Sequence, residues 1–348
     1  EIRAQLLDDV AFVEDKIHRD EHGVIYSLDG KRLLEGRSCD CKTYRIKEGT
    51  EFVCNGAFTP NTWEDLFLKN KKTLEKIILP STLLYFPTSA ISEGVAMESL
   101  SPNYSIINEL LIDTRQKCVV KCLNRYIQKI EIYEPIEEIG EYAFAHCSVL
   151  QSVSLPKSMR RIGENAFYNC ELLFSINLPD SIDTISASAF EECTNLVSLN
   201  IPESIVKIGD GSRYCFKECK NLKEIIYDAR EAEITDLPQN MDILTIGPQV
   251  NKLPKNILYN NPVIEAFTIT NNVQRIEKGC IVDCPNLKEI SITSKDIVIE
   301  EGWIRNCKSL RTIRIHVNAY EQILPLIPKE QKIKLKKIYD HQFLFFKW

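Results

Sequence analysis

The string IGENAFYNCELLFSINLP, starting at residue 162, recurs in near-copy as IGEYAFAHCSVLQSVSLP from 139 and as ISASAFEECTNLVSLNIP from 185. A period of this length constrains the fold more than any other feature of the chain. Each unit holds only a short strand and a turn, cannot bury its apolar side alone, and must stack on copies of itself. Aligned on phenylalanine and cysteine, the frame runs Phe144/Cys147, Phe167/Cys170, Phe190/Cys193 and Phe216/Cys219. It continues, degraded, as Leu258/Asn261, Ile281/Cys284 and Ile304/Cys307. IGDGSRYCF lengthens one repeat, and a shortened repeat falls between Cys219 and Asn261.

Within the unit, L-x-x-I-x-L supplies a strand: Leu150, Val153 and Leu155, then Leu173, Ile176 and Leu178, then Leu196, Leu199 and Ile201. Alternation turns two apolar side chains inward and the residue between them outward. Pro156, Pro179 and Pro202 then stop pairing, having no N–H to donate. The same frame recurs at 74–79, 127–132, 222–227, 241–246, 264–269, 287–292 and 310–315, and more weakly at 41–46. This predicts a continuous, mostly parallel sheet with one strand per coil. The Ala-Phe-x-x-Cys segment is expected to make a short helical turn on the other side.

A longer duplication aligns residues 22–58 with 108–144. In each copy a run of strand formers, a polar turn (Asp29-Gly30 or Arg115-Gln116) and a second apolar run predict a β-hairpin inserted between coils, near 24–34 and near 110–120. Helical spacing in RAQLLDDVAFVEDKI predicts an N-terminal helical cap over 1–21, with the solenoid over 22–315 and a C-terminal cap over 316–348 that includes a last strand near 332–339.

The cysteines raise the question of chemistry. Cys147, Cys170, Cys193, Cys219, Cys284 and Cys307 share one repeat slot with Asn261, so they are read as a buried structural ladder in which cysteine acts as a small hydrophobe. Cys215/Cys219 and Cys280/Cys284 have a spacing zinc accepts, but Cys215 and Cys280 occupy the slot of Ala143, Ala166 and Ala189, so no metal site is assigned. Cys39, Cys41, Cys54, Cys118 and Cys122 lie outside the ladder, and the sequence leaves a disulfide among them unassigned. The five histidines are scattered, and no nucleophile elbow, phosphate loop or metalloprotease pattern occurs. No catalytic residue and no cofactor are assigned. GDGS at 209–212 reads as an inserted surface turn, and His146 as an exposed turn residue.

A net charge of −6 argues against a nucleic-acid partner. The one basic cluster, KEQKIKLKK at 329–337, reads as a solvated face. No run of 18 or more apolar residues occurs to cross a bilayer as a helix. The chain begins at Glu1, and its first residues lack the basic start and apolar centre of a secretory signal.

The repeat resembles the BspA-type leucine-rich repeat, over roughly residues 22–315 and most closely over 136–205. The segment GVIYSLDGKRLL is similar to insertions in that family. The resemblance implies an α/β repeat solenoid, a right-handed coil. It further implies a non-enzymatic protein exported to the cell surface, its signal or lipoprotein segment removed, that adheres to an extracellular protein or glycan. A scaffolding protein of the envelope with no soluble ligand is the alternative. The chain is expected to be a monomer. The expected contact residues are the outward pairs on the strand face: Ser152 and Ser154, Ser175 and Asn177, Ser198 and Asn200, Glu224 and Ile226. On this two-column reading, the central rungs carry no aromatic or arginine anchor.

Overall fold

Alternating apolar residues give each coil a strand only two to five residues long, and the structure, a computed structural model, builds both of its units from such strands. It describes residues 17–59, 74–91, 94–209, 214–230, 232–234, 237–327 and 333–339. One unit comprises Glu1–Arg125 with Glu138–Phe144, the other Tyr126–Glu137 with Ala145–Trp348.

In the second unit each coil has three faces. The first is the L-x-x-I-x-L strand, as at Ser152–Ser154, which pairs in parallel with Lys129–Glu131 on one side and Ser175–Ile176 on the other. The second is a two-residue strand, Arg161–Ile162 pairing with Thr184–Ile185 and that with Lys207–Ile208. The third is the Ala-Phe-x-x-Cys turn, whose backbone bonds to the same turn one coil on: Phe167 N to Ala189 O (2.9 Å) and Asn169 N to Glu191 O (2.9 Å). In the later coils this face straightens into strands, Leu258–Tyr259, Ile281–Val282 and Ile304–Arg305.

Two sequence expectations change here. The Phe-Cys segment is not helical. Asn165 and Asn169 around Phe167, Ser188 and Glu192 around Phe190, and Asn256 and Asn260 around Leu258 all have positive φ, and these left-handed residues break any helical run. Asn, Asp and Gly recur at these two slots because they tolerate that conformation. The strand face is also not one continuous sheet. In this unit it divides into 129–131/152–154/175–176, then 198–201/224–227/243–246, then 266–269/289–292/312–316/334–338. The last strand, Lys334–Ile338, follows a short helix at Tyr320–Ile323 and a 3-10 turn at Leu324–Leu326. Buried Trp303 ties that segment down by donating from Nε1 to Leu326 O (3.3 Å).

The interior is a stack of like on like. The Phe167 and Phe190 rings lie 5.5 Å apart and 7° from parallel, and Phe190 and Phe216 5.8 Å and 2°. Three serines make a second, polar ladder. Ser158, Ser181 and Ser204 each donate to a carbonyl of the coil before, those of Ile136, Met159 and Ile182, at 2.5–2.7 Å.

In the first unit, Ile25–Ser27 pairs antiparallel with Arg32–Glu35, and Leu110–Asp113 with Cys118–Cys122. These pairs are not excursions from the coil. Arg32–Leu33 continues in parallel to Phe52–Val53, and Cys118–Val119 to Glu138–Ile139. Leu110–Asp113 is buried throughout, and Asp113 closes its turn by accepting from the Arg115 and Gln116 amides, both at 3.0 Å. A further antiparallel strand, Tyr104–Ile107, is joined by Asn108 and Glu109, both at positive φ, as a tight two-residue hairpin turn requires. The N-terminal helix expected over 1–21 falls outside the described residues except at its end, where Ile17–Arg19 is a strand.

Because Phe190 is buried between two stacked rings, Phe190→Ala is expected to cost about 3–5 kcal/mol of unfolding free energy. Urea denaturation checks this, and a loss under ~0.5 kcal/mol would mean the stack does not form.

Candidate interaction surface

Stacking fixes what each coil shows to solvent. On the strand face the residue between two inward side chains points out, and parallel register lines it up with its counterpart one coil on. Ser152 pairs with Ser175, Ser198 with Glu224 and Glu224 with Ile243 in one column. Asn200 pairs with Ile226, and Ile226 with Thr245, in the next. The eight sequence-predicted contact residues thus share one face. Ser154, Asn177, Ser198, Asn200, Glu224 and Ile226 are exposed, whereas Ser152 and Ser175 are half-buried. Lys129, Glu131, Ser152, Ser154, Ser175 and Asn177 line an open groove of about 740 Å³.

A third column was not legible as such. The first x of L-x-x-I also faces solvent, which places Phe174 (49% exposed) and Val197 (52%) on adjacent central rungs. They are linked through Val197 N to Phe174 O at 3.4 Å. The central rungs therefore do carry an exposed aromatic side chain, contrary to the two-column reading. The signal was a phenylalanine where the neighbouring repeats have Gln151 and Lys223. Ile226 (39%) and Ile243 (52%) extend exposed apolar surface along the same face. Beyond them the face becomes charged. Arg314 forms an ion pair with Glu289, Nη2 donating to Oε2 at 3.0 Å and Nε lying 2.7 Å from Oε1, and Lys334 and Lys336 follow on the last strand.

The ladder slot lies behind this face. Cys147, Cys170, Cys193, Cys219, Asn261, Cys284 and Cys307 are all buried. Cys193 Sγ donates to Phe167 O (3.2 Å) and Cys219 Sγ to Phe190 O (2.9 Å), each reaching the turn one coil before. Asn261 Nδ2 donates to Met241 O (3.0 Å), at the start of the previous strand window, while its Oδ1 accepts from the amides of Val263 and Ile264, both at 2.8 Å. What these residues share is a small side-chain donor that reaches a nearby backbone carbonyl. Burial drives the Cys193 and Cys280 thiols well above their ordinary pKa, the condition of an inert thiol rather than a nucleophile or metal ligand. Among the described residues no group of three or more His, Cys, Asp or Glu could hold a metal ion. His146 sits at an exposed turn with φ of 62°, its ring edge-on to Tyr168 at 5.2 Å.

The repeat is also recognisable as a family pattern. Six copies of the BspA type leucine rich repeat region match residues 118–241 and 236–323. The chain belongs to the BspA-type leucine-rich repeat family. Solved structures similar to this family member include a leucine-rich repeat protein from Bacteroides ovatus, 18% identical, with the match covering 94% of this chain and 100% of that one at a TM-score of 0.43. The pneumococcal vaccine antigen PcpA is 15% identical over 88% of this chain and 71% of its own (TM-score 0.39). A leucine-rich repeat protein of T. pallidum is 21% identical over 66% and 95% (TM-score 0.35). A search of the curated proteins finds no significant match. Among the described residues of this BspA-type chain, no helix is long and apolar enough to cross a membrane.

Since Phe174 is half in water and outside the ring stack, Phe174→Ser is expected to change unfolding free energy by no more than about 0.5 kcal/mol. A loss of several kcal/mol in thermal or urea unfolding would place it in the core instead.

Proposed function

We propose that this chain is a non-enzymatic cell-surface protein that binds an extracellular protein or glycan through its strand face. The observation that carries this reading is the exposed pair Phe174 and Val197, set beside the Ser/Asn columns on the central rungs. Large apolar side chains at the middle of a polar, hydrogen-bonding surface are where interfaces concentrate their binding energy. The serines and asparagines bring short side chains with little entropy to lose, and each offers both donors and acceptors to a polar ligand. An open groove without an enclosed cavity suits an extended ligand rather than a small molecule. Exposure at the cell surface is the usual setting of this family. In this reading the Cys/Asn ladder is purely structural and holds the columns in register.

A binding screen of the purified chain against matrix proteins and a glycan array tests the proposal, run beside a variant carrying Ser175→Lys, Asn177→Lys, Ser198→Lys and Asn200→Lys. The expected result is a ligand that binds the native chain and loses at least tenfold in affinity for the variant, with the melting temperatures matching. Equal binding by both chains would remove the strand face from the contact. No ligand across the panel, with both chains folded, would favour an envelope scaffold.

A further inference from the structure

Two cysteines outside the ladder slot lie side by side. Cys39 and Cys41 flank Asp40 in the connection between strands Arg32–Glu35 and Thr43–Arg45, and their sulfurs lie 3.0 Å apart. Both are free thiols. A disulfide bond is about 2.05 Å long, so closure requires the sulfurs to approach by only about 1 Å.

Both ends of this connection are fastened. At its start, Gly36 donates to Ala57 O (2.6 Å), and a Cβ there would lie 2.1 Å from the Phe58 ring, so the backbone is held against that side chain. Cys39 N then donates to Gly36 O (3.0 Å), curling the chain into a turn. At its end, Lys42 O accepts from Glu75 N (2.7 Å) and Lys76 N (3.0 Å). The two thiols are therefore positioned by the fold before any bond forms. They also differ. Cys39 is 4% exposed and packs in the core cluster with Tyr44 and Phe58, while Cys41 is only partly buried against it. Burial and the neighbouring thiol push Cys39 up to about 12.

We propose that Cys39 and Cys41 form a redox-responsive disulfide in the folded protein, with a small-molecule disulfide as the oxidant. Cys41, the accessible thiol, attacks one sulfur of the oxidant as its thiolate and expels one thiolate, leaving a mixed disulfide on Cys41. Cys39 then attacks the Cys41 sulfur, passes its proton to the departing sulfur, and releases the second thiol. The protein loses two protons and two electrons, and one disulfide becomes two thiols. The small ring that results encloses Asp40, whose Oδ1 stands 3.3 Å from His22 Nδ1, and so fixes that exposed contact. The ladder cysteines Cys193 and Cys219 are engaged differently, their sulfurs turned to carbonyls of the previous coil.

The test treats the folded full chain with oxidised glutathione, alkylates the remaining thiols, digests without reductant and maps cysteines by mass spectrometry. The expected product is a peptide with an internal Cys39–Cys41 bridge, two hydrogens lighter than its reduced form and unalkylated at both positions. In a Cys41→Ser variant, Cys39 should instead be recovered as an alkylated thiol once the chain is denatured, with circular dichroism confirming the fold before oxidation. Recovery of both Cys39 and Cys41 as alkylated thiols in the native chain, or a bond from either to Cys54, Cys118 or Cys122, would overturn the proposal.

Discussion

Each coil can cover its apolar side only with the next coil, and this requirement shapes nearly everything else in the repeats. It places phenylalanine on phenylalanine at 5.5 and 5.8 Å, with the rings within 7° of parallel. It also creates a polar problem, because a buried turn leaves carbonyls that must find donors. The chain solves this with side chains that repeat as regularly as the apolar ones. Cysteine and asparagine fill one slot, and Ser158, Ser181 and Ser204 another.

The same regularity frees the outer surface. Since stability comes from the inward residues and the backbone ladders, the three outward columns can vary without loss of fold. They do vary along the second unit, from serine and asparagine, through exposed Phe174, Val197, Ile226 and Ile243, to the Glu289–Arg314 pair and the lysines of the last strand. In the proposed reading, a surface of this kind would meet a partner through arrangement over several coils. The ladder thiols are buried inside the coils, and the Cys39–Cys41 pair lies in the connection between two strands.

The strand frame was legible because alternation is a local pattern. Residues 224–227, 243–246, 266–269 and 289–292 lie inside the windows the L-x-x-I-x-L pattern marks. The phenylalanine turns were misjudged as helical because Ala-Phe-x-x-Cys has no helix breaker. What decides them is the left-handed backbone of residues such as Asn165 and Asn169, a consequence of bonding to the next coil. The antiparallel segments read as insertions because the sequence marks their turns but not the parallel partners at 52–53 and 138–139. Phe174 was passed over for a related reason. The pattern shows which positions point inward, yet whether the first x of L-x-x-I reaches solvent depends on the bend of the coil before the strand.

Hydrogen–deuterium exchange followed residue by residue tests most directly whether the coils hold one another on the turn face and the two-residue-strand face. The amides of Phe167 on the turn face, bonded to Ala189 O at 2.9 Å, and of Ser186 and Gly209 on the two-residue-strand face, bonded at 2.9 and 2.8 Å, belong to adjoining coils. If nearest-neighbour stacking sets the stability, these amides exchange slowly and together, through one shared opening. Exchange of the Phe167 amide as fast as an unbonded surface amide, while the strand amides stay protected, would contradict the account.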